Sequence, residues 1–226
     1  MAKKKKKIEA KKIVKENPNK TVETQFFWLV SIIIIITLGF VFIPVLYHQI
    51  FEKFEYAGVK FEKIEEGQLT FYHGQFPIIY KGNFSAVYNV YFRNDPRENN
   101  IPINTNLSLS QRVSISLNDN VHLCEDMMLG QAELGKFISA FPFVKNVTAG
   151  VYNASVAKEY NVPQITCKNA SKDNTVLIIQ RSENPSIELG EKENCYLIKI
   201  GQCKYLESAE RYVVGAMAQI NGKPLA

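Results

Sequence analysis

The chain has 226 residues, with 27 Lys and Arg against 22 Asp and Glu for a net charge of +5. The excess is confined to the amino end: residues 1–25 hold nine Lys and three Glu, whereas everything from Tyr47 onward nets −1. A basic run with no interleaved aromatics and no nucleic-acid-binding module argues against nucleic acid as a partner, and the lack of an internal repeat or a Pro/Gly/Ser linker argues for one domain after the tail.

Residues 1–25 read as a disordered basic tail. Phe26–Leu46, FFWLVSIIIIITLGFVFIPVL, follows without a charged residue. At about 1.5 Å per residue this segment spans about 31 Å, the thickness of a bilayer's hydrocarbon core. The β-branched run Ile32–Ile36 weakens intrinsic helix propensity, but lipid leaves the backbone no other way to satisfy its hydrogen bonds. Phe26, Phe27 and Trp28 at one end and Tyr47 at the other stand where interfacial aromatics stand. The expectation is a transmembrane signal-anchor helix over 26–46. Lys3–Lys7 and the lysines after them would hold the amino end in the cytoplasm and touch anionic lipid headgroups. The chain is then a single-pass protein of the cell membrane with an extracytoplasmic carboxyl domain. A cleaved signal peptide is the rival; it requires a shorter apolar core and a small-x-small site, which FVFIPVLYHQIFEKFEY does not offer.

Residues 47–56, YHQIFEKFEY, read as a juxtamembrane helical stub with Ile50, Phe51 and Phe54 on one face, and 57–226 as the folded domain. Strand patterns come next: Val59–Ile64 and Leu69–Tyr72 flank the turn EEGQ, and His73 falls in an apparent second turn, YHGQ. Phe84, Ala86, Tyr88, Val90 and Phe92 alternate with polar residues. Leu107, Leu109, Val113, Ile115 and Leu117 alternate with Ser108, Ser110, Arg112, Ser114 and Ser116, the clearest period-two signal in the chain. One apolar and one hydroxyl-rich face predict an antiparallel sheet covered on one side and wet on the other. Between these runs RNDPRENNIP reads as a turn, its Asp95 with Arg93, Arg97 and Glu98 as surface salt bridging.

Helical spacing predicts a helix over Glu125–Phe141, with Glu125 and Asp126 as acids in its first turn, and a short one over Ala154–Tyr160. Strands follow at Thr175–Gln180, Ser186–Leu189 and Cys195–Ile200. The closing helix, Tyr205–Ile220, carries the apolar stripe Leu206, Ala209, Tyr212, Val213, Ala216, Met217 and Ile220, and Asn221-Gly222 caps it. The fold class expected is α+β: one amino-terminal transmembrane helix, then an antiparallel sheet with helices packed on one face.

All four cysteines, Cys124, Cys167, Cys195 and Cys203, follow the apolar segment, as disulfides of an oxidising compartment would. Cys195 and Cys203 are separated by a strand whose ends lie roughly 17 Å apart, too far for a direct bridge. Of the two pairings left, Cys167–Cys195 with Cys124–Cys203 is favoured, because Cys167 precedes the strand around TVLIIQ beside which the strand from Cys195 can run, and Cys124 and Cys203 each precede a helix. Five Asn-x-Ser/Thr sites, Asn83, Asn106, Asn146, Asn153 and Asn169, fall in the same region, where chance gives about 1.5, so glycan-bearing surface loops are expected. Asn19 also matches but lies before the apolar segment.

No nucleophile-elbow, Walker, dinucleotide or paired-histidine zinc pattern occurs, and no catalytic residue or cofactor is assigned. The reading is a membrane-tethered binding or scaffolding module of the cell envelope, partnered by the lipid bilayer and by other envelope proteins or glycans. Two alternatives remain. His122, Cys124, Met127 and Met128 form a cluster of soft ligands fit for a metal or redox role if Cys124 is a free thiol. A pilin-like subunit, in which a long apolar helix precedes a β-rich domain, requires removal of the basic leader near Thr21–Phe26.

Overall fold

A computed structural model describes residues 18–47, 52–80, 82–118, 121 and 124–223. The chain divides into two compact units, residues 1–50 and 51–226.

The first unit is one helix, α1 (Pro18–Tyr47). It starts eight residues before the apolar segment, so residues 18–25, expected to be disordered tail, are helical. Pro18 suits a first helical turn, where its missing N–H costs nothing. Residues 1–17 and 48–51 lie outside the described residues, and with them His48, Ile50 and Phe51. The expected helical stub is corrected where it can be seen: Lys53–Tyr56 is a β-strand of the second unit. Phe54 stacks on Phe61 of the next strand, with ring centroids 5.5 Å apart. An alternation of two residues meets that neighbour better than a helical face would.

The second unit contains two sheets with two helices between them. Strands β1 (Lys53–Tyr56), β2 (Val59–Glu66), β3 (Leu69–Tyr80) and β4 (Asn83–Phe92) form an antiparallel meander in that spatial order. It meets the antiparallel expectation. Gly67, at φ +64°, makes the expected turn between β2 and β3. His73, read as a turn residue, instead lies inside the long β3 and stacks on Tyr91 of β4 at 4.6 Å.

The second sheet was not anticipated. It comprises β5 (Arg112–Leu117), β6 (Asn146–Val151), β7 (Asn174–Ser182), β8 (Ser186–Leu189) and β9 (Cys195–Gly201), ordered β6-β5-β7-β9-β8. Its first four strands run parallel, and only β8 is antiparallel, on the edge. The run 107–117 therefore does not form one strand of an antiparallel sheet. Residues 107–110 are extended, but side chains bind their backbone: Gln219 accepts from the Leu107 amide, Tyr196 from Ser108, and Thr175 from Ser110. The hydroxyl-rich side of β5 is also not wet. Ser114 and Ser116 are buried; their hydroxyls donate to the Asn174 side chain at 3.1 Å and the Ile165 carbonyl at 2.7 Å. A short polar side chain with a backbone partner can lie under a crossover as readily as in solvent.

Helices α2 (Met127–Ser139) and α4 (Tyr205–Ile220) fill the space between the sheets, and α3 (Ala154–Glu159) lies on the β6–β7 connection. The main core joins Val59, Phe61, Phe76, Val90 and Phe92 of the meander to Val113, Ile115, Leu177, Ile179, Ile198 and Ile200 of the mixed sheet through α2 and α4. Of the expected apolar stripe of α4, Ala209, Tyr212, Val213, Ala216 and Met217 are buried, Leu206 is half-buried and Ile220 is exposed; the polar Ser208, Glu210 and Arg211 are buried as well. Arg211 donates to the Ile101 carbonyl at 2.8 Å and to the Tyr56 hydroxyl at 2.9 Å. Asp126 does not serve its own helix: its carboxylate accepts the Leu206 amide at 2.7 Å and so caps α4.

Glu210 is 2% exposed and accepts from the Arg93 amide at 2.6 Å, the Asn94 amide at 3.2 Å and the Asn94 side chain at 2.7 Å. Burial pushes its carboxyl up to about 7 despite these donors, and the nearby Glu133 pushes the same way. In the unfolded chain the group titrates at about 4.3. Between those values the folded chain keeps a proton that the unfolded chain has lost. Stability should therefore fall as pH rises from about 4.3 to about 7 and level off above, by on the order of 3 kcal/mol. Urea midpoints across that window should show the decline, and Glu210→Gln should flatten most of it. A flat wild-type profile would mean the carboxyl is not buried as described.

Candidate functional site

The outer face of the mixed sheet carries a second, smaller core of Ile165, Cys167, Ala170, Val176, Ile178 and Cys195. It arises from topology. The chain leaves β5 toward α2, on the side of the main core. It leaves β6 toward the other face, where α3 and a 3-10 turn (Cys167–Asn169) cross back over β5 to reach β7. Adjacent parallel strands whose exits diverge open a crevice at their carboxyl ends. Tyr152 stands there, its amide bonded to the Leu117 carbonyl at 2.9 Å.

From this point a cavity of about 440 Å³ runs along the outer face, lined by Tyr152, Gln164, Thr166, Lys168, Gln180 and Glu191 over Ile178, Leu197 and Cys167. Its floor is apolar and its walls are amide and hydroxyl, while Lys168 and Glu191 are exposed and opposite in charge. Gln180 sits in a row across four strands. The Asn118 amide reaches its carbonyl at 3.5 Å; Lys199 beside it pairs with Glu188 at 2.7 Å, and Ser186 donates to Glu188 at 2.7 Å. Those two donors hold the Glu188 carboxyl below its ordinary range.

The Cys167–Cys195 disulfide, with Cα atoms 5.3 Å apart, closes one end of the crevice, and Cys124–Cys203, at 5.0 Å, ties the loop after β5 to the start of α4. Both pairs are those the strand geometry favoured. The backbone is packed tightly around them: a Cβ on Gly190 would come within 2.8 Å of the Cys167 sulfur, and one on Gly150 would run into the Pro163 carbonyl oxygen. Gly150→Ala should cost about 1–3 kcal/mol through overpacking. A lowered thermal midpoint is the expected result, with Pro163 and the Gln164–Thr166 wall it leads into displaced; an unchanged midpoint would contradict the close approach.

The other sequence-based candidates scatter. Cys124 is bonded to Cys203 and offers no thiolate, Met128 is exposed, and His122 lies outside the described residues, so the soft-ligand cluster is not assembled around a free thiol. Among the described residues no group of three or more His, Cys, Asp or Glu converges for a metal. Asn83, Asn106, Asn146 and Asn169 are exposed. Asn153 is half-buried and caps α3, accepting from Ser155 and Val156. Asp95 and Arg97 form the expected ion pair at 2.6 Å, with the guanidinium 3.8 Å from the centroid of the Phe54 ring. The crevice residues had no local signature: Tyr152, Gln164, Gln180 and Glu191 share no spacing, and only the Cys167–Cys195 pair marked their neighbourhood.

No protein-family model, curated protein or solved structure matches the chain.

Proposed function

We propose that this is a single-pass membrane protein whose α1 crosses the bilayer, with the Lys-rich end in the cytoplasm and the second unit outside as a non-catalytic binding module of the cell envelope. The observation that carries the anchoring is the stretch Phe26–Ile43: its mean hydropathy is 2.9 and none of its 18 residues is buried within the protein. An apolar surface of that length without protein cover calls for lipid. Both disulfides fall after it, which favours an oxidising compartment for the second unit.

The crevice supports the binding role and a ligand class. Amides and hydroxyls over an apolar floor, with an exposed tyrosine ring at one end, match an uncharged polyhydroxylated ligand, a neutral envelope saccharide. Its hydroxyls would pair with Gln164, Thr166 and Gln180 while its C–H face covers Ile178 and Leu197.

Alkaline extraction should leave the protein in the membrane fraction at full-length mass. Protease added to intact cells should reach only the second unit. Release by alkali, loss of residues before 50, or protection of the second unit would overturn the topology. For the ligand, the full chain in detergent should bind a panel of neutral oligosaccharides, and Tyr152→Ala or Gln180→Ala should each weaken binding about tenfold, about 1.4 kcal/mol. Equal binding by both variants would remove the crevice from the proposal.

A further inference from the structure

The meander sheet ends on β4, and among the described residues nothing pairs with its outer edge: its only ladder is with β3, and no isolated bridge or loop backbone reaches it. Its sequence, NFSAVYNVYF, has no charge and no proline, the devices that ordinarily blunt such an edge. Phe84, Val87 and Tyr91 are 67%, 44% and 51% exposed, and Ile79 of β3, opposite Phe84, is 64% exposed. The other described edges are protected. β1 and β8 are four residues long and carry charges, β8 is bridged by Ile103, and β6 is bridged by Gln164.

We propose that β4 is a self-association edge, on which a second copy of this chain lays its own β4 antiparallel across a two-fold axis, joining two meanders into one eight-stranded sheet. The sequence of the edge identifies the occupant. Around an axis at Asn89, Val87 of each copy stands opposite Tyr91 of the other, and Asn89 opposite Asn89. These are the aromatic–β-branched and polar–polar pairs that stabilise adjacent strands. A two-fold axis brings two copies of the same edge together, so an edge of one net charge would repel itself; this edge carries none. The central residues are already oriented from behind: His73 stacks on Tyr91, and Gln75 donates to the Asn89 carbonyl at 3.3 Å. Pairing centred there uses Ala86–Phe92 and leaves the Asn83 glycosylation motif outside. The proposal stands apart from the crevice, which lies on the other sheet.

The test uses the full chain in native membranes and in mild detergent. Two Asn89 residues paired across the axis have Cα atoms about 4.5–5.5 Å apart, within disulfide reach. Asn89→Cys should give a covalent dimer on mild oxidation, whereas Gln68→Cys, at the exposed β2–β3 turn, should not. By sedimentation the wild type should be a dimer and Asn89→Lys a monomer with an unchanged far-UV spectrum and monomer melting. A wild type that is monomeric at every concentration reached, one that takes up a foreign extended segment instead, or a dimer that survives Asn89→Lys and fails to cross-link at Asn89→Cys would each overturn the proposal.

Discussion

Ending the chain after Lys204 should leave a protein with no cooperative unfolding transition. Helix α4 is the shared wall of both sheets, and Ala209, Tyr212, Val213 and Met217 are fully buried in it. Its loss would uncover the inner faces of the meander and the mixed sheet together. It would also remove the α4 side chains that pair with the Ile101 carbonyl and with the Arg93 and Asn94 amides. Near-UV circular dichroism should vanish and a hydrophobic dye should bind. Smaller changes grade the effect: Met217→Ala should cost about 2–5 kcal/mol by burial lost and cavity made. Tyr212→Phe should be neutral or stabilising, because among the described residues the buried Tyr212 hydroxyl has no hydrogen-bond partner. If the shortened chain melted at the full-length midpoint, α4 would be peripheral and the layered arrangement wrong.

Replacing Cys124 and Cys203 together by Ser should destabilise the second unit by about 2–4 kcal/mol, toward the upper end because the bridge closes a separation of 79 residues. That corresponds to a fall of about 5–15 °C in thermal midpoint for a unit of this size. The bridge joins the loop after β5 to the residue two before α4, so its removal frees the entry to the helix that both sheets depend on. Reduction of the wild type, which also opens Cys167–Cys195, should lower the midpoint at least as far. An unchanged midpoint in the double variant would mean that packing alone holds α4 in register.

The elements easiest to read from the sequence were those whose pattern and environment agree. Tyr205–Ile220 was expected and is found with the same bounds, because a strong apolar stripe falls between clear stop signals. The disulfide pairs were legible because an extended strand between Cys195 and Cys203 forbids the direct bridge and because the strands after Cys167 and Cys195 run side by side. The mixed sheet was not legible. Its central strands are covered on both faces, so the serines of β5 mimicked a solvent face while bonding to Asn174 and Ile165. β6, NVTAGV, is an edge strand with Ala149 and Gly150 in place of large side chains, and its identity comes from pairing with β5 rather than from its own residues. Glu210 and Arg211 lie off the apolar stripe of α4, and it is Tyr56 of β1 and the chain leaving β4, at Arg93, Asn94 and Ile101, that make them buried anchors. The crevice is a product of chain crossing, and no local spacing encodes it.

Helix α4 is also made after both sheets. The meander is complete once Phe92 has emerged; α2 follows and lays Phe137 on Tyr88, but the share of the cover that α4 supplies arrives only from Tyr205 onward. At roughly 5–20 residues per second, synthesis of the intervening stretch takes on the order of ten seconds, far longer than a hairpin needs to form. During that interval the growing chain presents a finished sheet whose inner aromatic face, Phe61, Phe76 and Phe92, is incompletely covered, with an open edge at β4. Its survival in the cell is therefore a matter of timing as much as of final stability, and slowing elongation between residues 93 and 204 should raise aggregation without altering the melting point of the molecules that escape it.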